Sequence, residues 1–118
     1  MSKILYIKAS PMGERSSSIS TADAFIDAYN EANPDDEVQI LDLFEATLPE
    51  FNFSAVSAKY KIMHGEEHSS EDKAVWGSIV AVITEFKAAD KYVLAVPMWN
   101  FSIPWRLKQY LDILIQPG

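Results

Sequence analysis

The 118 residues hold 10 Lys+Arg against 17 Asp+Glu, a formal net charge of −7, with 48% hydrophobic residues, 23% charged residues and no cysteine. That length and balance point to one small globular domain. The acidic excess argues against a nucleic-acid or anionic-membrane surface, and the missing thiols exclude disulfides, thiol redox centres and zinc–thiolate sites. The start, Met1-Ser2-Lys3, runs straight into a strand-like segment without a signal-peptide pattern, and no apolar stretch is long enough for a bilayer. A cytoplasmic location with no membrane partner is the expectation.

Ile4-Leu5-Tyr6-Ile7 is continuously apolar, the pattern of a strand covered on both faces. Ala9 to Arg15 is a loop punctuated by Pro11 and Gly13. Ser16-Ser17-Ser18 precede a helix whose apolar face is Ile19, Ala22, Ile26 and Tyr29, and which stops before Asn33-Pro34. Glu37 to Phe44 is the second strand. Ala46 to Phe53 is a loop containing Leu48-Pro49, Ala55 to Met63 a short helix, and His64 to Ser70 a polar, mobile connection. Ser69 or Ser70 caps the next helix, with Glu71 and Asp72 in its positive first turn. Val75, Ile79, Val82, Ile83 and Phe86 form its stripe.

Tyr92 to Val96 then reads as a buried third strand, ended by Pro97. A tight aromatic-polar loop, Met98 to Ser102, follows, and Ile103-Pro104 closes it. An amphipathic helix begins at Trp105, with Leu107, Tyr110, Leu111 and Leu114 on one face, and Gln116-Pro117-Gly118 end it. The order β-α-β-α-β-α implies right-handed crossovers and a parallel sheet with helices on both faces.

Two segments attract functional attention. Ser10 follows the first strand, and Ser16, Ser17 and Ser18 sit at a helix start, where unpaired N–H groups and the helix dipole favour an anion. Arg15 adds a charge. Taken alone, the serine run reads first as a plain N-cap cluster. It is neither a G-x-G-x-x-G fingerprint nor a Walker P-loop. The second segment offers flat apolar surface at Met98, Trp99 and Phe101, an amide at Asn100 and backbone N–H groups. In a sheet ordered 2-1-3 the winding reverses between strands one and three, and that switch point is where flavodoxin-like folds bind FMN. A phosphate would lie on the Ser16–Ser18 helix start and the ring on the Met98–Phe101 loop.

The block PMWNFSIP, followed after two residues by LKQYLDIL, resembles the FMN-dependent NADH-azoreductase family, relatives of the NAD(P)H-quinone oxidoreductases. The opening SKILYIKASP, the serine-rich helix start and the later LPEF fit the same resemblance in colinear order along the whole chain. The resemblance implies a flavodoxin-like α/β fold. It places Ser10, Ser16, Ser17 and Ser18 on the FMN phosphate side and Met98, Trp99, Asn100 and Phe101 against the isoalloxazine. It further implies hydride transfer from NADH or NADPH through FMN to a quinone or azo compound, in a homodimer with the flavin at the subunit interface. The flavin carries the redox step, so no catalytic side chain is required.

The chain also departs from that family. The order 2-1-3-4-5 needs two more strands, and the glycine-rich loop after strand four is absent. Residues 1–118 therefore read as the N-terminal part of a flavodoxin-like FMN-binding domain, from a longer reading frame or completed by another chain. Tyr92 to Val96 would then be an exposed apolar edge. Rival readings are a non-catalytic module that dimerises or binds an anion, and an electron-shuttle flavodoxin. His64-Gly65-Glu66-Glu67-His68 matches the zinc-peptidase pattern H-x-x-E-H, but it contains a glycine, lacks an apolar stripe and lies in a polar loop, so no metal is expected there.

Overall fold

The computed structural model describes residues 1–116. Three parallel strands, β1 (Lys3–Lys8), β2 (Glu37–Asp42) and β3 (Lys91–Ala95), form one sheet in the order β2-β1-β3. Tyr6 pairs with Ile40 on one side and Val93 on the other. The helices are α1 (Ser17–Ala32), α2 (Phe53–Met63), α3 (Ser70–Lys87) and α4 (Trp105–Leu114). The expected α/β alternation, strand order and two-sided cover are all present.

β1 is central, so its apolar run feeds both faces. Tyr6 packs with Ile19, Ala22 and Ile26 of α1. Leu5 and Ile7 point the other way, onto Leu43, Leu107 and Tyr110. A third cluster, Ala55, Ile79 and Ile113, ties α2, α3 and α4 together. Each large apolar side chain buried in this way contributes about 1.5–3 kcal/mol. The Tyr6 hydroxyl, at the rim of the α1 layer, donates to Asp23 Oδ1 at 2.8 Å. Burial first, and then this carboxylate, push its pKa well above the usual tyrosine range. The Tyr110 hydroxyl is the one buried side-chain oxygen without a partner among the described residues.

Two boundaries move, each for a local reason, and a third is settled between its two candidates. β2 ends at Asp42 rather than Phe44, because the Asp42 carboxylate accepts the Phe44 N–H at 3.0 Å and turns the chain. α2 starts at Phe53 rather than Ala55, because the Asn52 side chain accepts the Ala55 N–H at 3.1 Å. α3 is capped by Ser69, not Ser70: the Ser69 hydroxyl accepts the Asp72 N–H while Asp72 accepts the Ser69 N–H, a reciprocal capping box. α4 ends at Leu114. Of the expected stop at Gln116-Pro117-Gly118, Pro117 and Gly118 lie outside the described residues.

The reading of Tyr92 to Val96 as a buried strand is corrected, and the expectation of an exposed apolar edge in a three-stranded sheet holds. Only Ala95 is buried in that run, and Leu94 is 46% exposed. β3 is the sheet's outer strand among the described residues, so one side has no ladder partner and an unbroken apolar sequence ends up as the exposed edge. Tyr92 is partly covered by stacking on Phe86, with centroids 4.3 Å apart. Its hydroxyl donates to the Phe86 carbonyl at 2.6 Å. No described helix is long and apolar enough to cross a membrane.

Candidate functional site

The carboxyl ends of β1 and β3 are stitched by the Ala9 N–H, which donates to the Ala95 carbonyl at 2.9 Å. The loops leaving these two strands diverge from that point, as the strand order requires. After β1 comes a short 3-10 turn, Gly13–Arg15, and then α1. Ser16 is the N-cap: its hydroxyl accepts the Ile19 N–H at 3.2 Å. The Ser10 hydroxyl accepts the Met12 N–H at 3.3 Å. Ser10 and Ser16 are buried, at 2% and 5% exposure. Both hydroxyls serve as acceptors in these bonds, which leaves their hydrogens uncommitted. Ser17 and Ser18 carry the accessible part of the helix start, where first-turn N–H groups lack intrahelical partners.

The loop after β3 is a tight turn. The Trp99 N–H donates to the Ser102 carbonyl at 2.8 Å and the Ser102 N–H to the Trp99 carbonyl at 2.9 Å. The central residues, Asn100 and Phe101, have φ of 51° and 64°. Two positive φ values in succession are those of a type I′ turn, which glycine and asparagine normally occupy. Phe101 holds the conformation at a steric cost of about 1–2 kcal/mol. It is also 96% exposed, and Met98 is 75% exposed. Strain and apolar exposure therefore coincide at one position, the mark of a segment shaped by something other than its own stability.

The two segments flank one end of the sheet, and each borders a groove there. Ser17 and Ser18 border a shallow groove of about 480 Å³ with Phe25, Ala95 at the end of β3 and Val96 just after it. Trp99 and Asn100 border a larger groove of about 1080 Å³, which also takes in Pro11 from the first loop. Met98 and Phe101 line neither groove, nor do Ser10 and Ser16.

The larger groove brings in residues that pattern reading passed over: Phe44, Phe51, Trp105 and Gln109. Phe44 and Phe51 lie in the connection between β2 and α2, and Trp105 opens α4 after the buried Pro104. The available signal was aromatic residues in otherwise polar connections at the carboxyl ends of strands. Phe44 meets Trp105 edge-on, at 6.3 Å and 85°.

The H-x-x-E-H stretch is not helical. α2 stops at Met63 and α3 starts at Ser70. The His64 ring stacks on Tyr60 with centroids 4.0 Å apart, and Nδ1 of His64 and of His68 each lie against backbone carbonyls. Among the described residues no group of three or more His, Asp or Glu could hold a metal ion.

A family profile described as the flavodoxin-like fold matches residues 2–118. An FMN-dependent NADH:quinone oxidoreductase of Nitratidesulfovibrio vulgaris is 58% identical over the full chain, which covers 56% of that relative. The crystal structure of an azoreductase from Bacillus anthracis superposes with a TM-score of 0.89 at 32% identity, over 100% of this chain and 57% of that one. An FMN-dependent NADH-azoreductase from Bacillus anthracis, solved in complex with FMN, superposes with a TM-score of 0.87 at 29% identity, over 98% of this chain and 56% of that one. The chain thus spans a little over half the length of the relatives it matches.

Proposed function

The chain belongs to the flavodoxin-like fold family, and from that premise we propose that it works as an FMN-dependent oxidoreductase, with residues 1–118 contributing to the FMN-binding domain. It would pass hydride from NADH or NADPH, through FMN, to quinones or azo compounds, in the cytoplasm and as a homodimer. The observation that carries the reading is the exposed, positive-φ Asn100–Phe101 turn at the carboxyl end of β3, beside the switch point between β1 and β3.

The residues present fit the cofactor. Ser17 and Ser18 at the start of α1 would meet the phosphate, with the dipole of a 16-residue helix behind them. Ser10 and Ser16 would support them with their uncommitted hydroxyl hydrogens. Met98, Trp99, Asn100 and Phe101 would meet the isoalloxazine. Bound FMN supplies the redox chemistry. The protein's part is to place the ring, shield it with aromatic surface and hold negative charge against loop N–H groups.

The homodimer is supported by an apolar stripe on the outside of α2: Phe53, Val56, Tyr60 and Met63 are 48–86% exposed and lie on one helix face. Such a row is uncommon on a free surface. The relatives named for NADH, quinone and azo chemistry support the substrate classes.

Titration with FMN tests the reading. The expected result is quenched flavin fluorescence on binding, then bleaching of the visible flavin absorbance by NADH and its return on adding a quinone. A chain that takes up no FMN would instead support the non-catalytic module. One that binds FMN but is not reduced by NADH or NADPH would support an electron-shuttle flavodoxin.

A further inference from the structure

Arg106, on the first turn of α4, sits between the larger groove and the loop that follows β2. Its Nε donates to the Leu43 carbonyl at 2.7 Å, its Nη2 to the Ala46 carbonyl at 2.5 Å and its Nη1 to Gln109 Oε1 at 3.1 Å. Gln109 in turn donates through Nε2 to the Pro49 carbonyl at 3.3 Å. Two residues three apart on one helix face therefore gather three carbonyls from a connection with no helix or strand of its own. A rigid, planar donor fork suits this task, and a lysine point charge would not reproduce it.

The same guanidinium lies 5.3 Å from the centroid of the Trp105 ring. Trp105 carries the edge-on contact with Phe44, whose backbone lies between the tethered carbonyls of Leu43 and Ala46. Arg106 thus fixes both halves of one aromatic corner. Phe44 and Trp105 line the groove together with Trp99, Asn100 and Gln109. Aromatic faces with amide groups at the edges suit a flat ring bearing carbonyl oxygens.

We infer that Arg106 is a positioning residue that holds the Phe44–Trp105 wall in place, and that this wall receives the flat electron acceptor, a quinone-type ring. The inference rests on the proposed function for the meaning of "acceptor". The architecture of the wall stands on the contacts alone.

The test uses two probes on the whole chain: FMN, followed by flavin fluorescence, and menadione, followed by tryptophan quenching with and without saturating FMN. Arg106→Leu should weaken menadione about tenfold, the scale of a misfitted pocket wall, while leaving FMN affinity unchanged. Phe44→Leu should do the same, and the double variant should be no worse than the weaker-binding single variant, because both disable one wall. Arg106→Lys should give an intermediate loss, and decides the matter if Arg106→Leu does not fold. The inference is overturned by unchanged menadione affinity, by fully additive losses, or by equal loss of FMN and menadione binding, which would mark a merely structural role. Failure of the unmutated chain to bind FMN would sink the proposed function instead, and the menadione titrations without FMN would still decide on the wall.

Discussion

The two ends of the sheet are built on opposite principles. At the amino end every strand start is tied down. The Ser2 N–H donates to Asp36 at 2.8 Å, the Lys3 N–H to Asp90 at 2.9 Å, and the Asp90 N–H returns to the Lys3 carbonyl at 2.7 Å. Tyr29 donates to Asp36 and accepts from Lys91 Nζ. At the carboxyl end, beyond the Ala9–Ala95 stitch, the chain opens into two grooves, exposed aromatic side chains and a strained turn. The closed end fixes register, and the open end presents chemistry. Both hang on the same buried middle, so stability and function can be separated by mutating one end at a time.

The largest effect should come from the shared middle. Ile7 is fully buried in the cluster with Leu43, Leu107 and Tyr110. Ile7→Ala leaves a cavity and should lower stability by about 2–5 kcal/mol in urea unfolding. Both ends should melt together. Separate transitions would show that they are not one cooperative unit.

At the open end the contrast is within a few residues. Ser16→Ala removes the N-cap of α1 and should cost about 0.5–2 kcal/mol of stability, whereas Ser17→Ala should stay within about 0.5 kcal/mol and instead weaken FMN binding. Phe101→Gly should stabilise the fold by about 1 kcal/mol, by relieving the positive φ, and weaken flavin binding. A loss of stability there would mean that Phe101 is packed for the fold's own sake.

The smallest effect belongs to the closed end and depends on pH. The hydrogen bond from Tyr29, and then the Ser2 N–H, hold the Asp36 carboxyl below its ordinary value of 3.8. A lowered carboxylate pKa adds stability that is present above the ordinary value and lost as pH falls through the folded-state value. Tyr29→Phe should therefore give a slightly lower Tm at neutral pH, a gap that closes on acidification below 3.8. A gap that persists unchanged in acid would assign the effect to packing.

Much of this was readable without coordinates, because local physics dictates it. The unbroken run Ile4–Ile7 had to be the central strand, and the stripe Ile19, Ala22, Ile26 had to be a buried helix face. The block from Pro97 to Pro104 had to leave the sheet, since proline cannot extend its ladder. The Tyr92–Val96 run allowed two readings, a buried strand and an exposed edge, because an apolar sequence states what a strand could bury, not whether anything lies beside it. The second aromatic contribution to the groove, Phe44 and Trp105, stayed hidden because it joins residues far apart in the chain through Arg106, a charged side chain that looks like ordinary helix surface.

The amino-acid order alone determined the alternation of strands and helices, the serine caps of α1 and α3 to within a residue, and the two segments placed on either side of the switch point. Those depend on periodicity, on proline and serine chemistry, and on the handedness of crossovers, all of which act over short stretches. Tertiary structure alone decided that the serine and aromatic segments border separate grooves, which of the two readings of β3 holds, and that the loop after β2 is pinned to α4. Each of these depends on which distant surfaces meet, and a guanidinium reaching three carbonyl and amide oxygens at once has no signature in a linear chain.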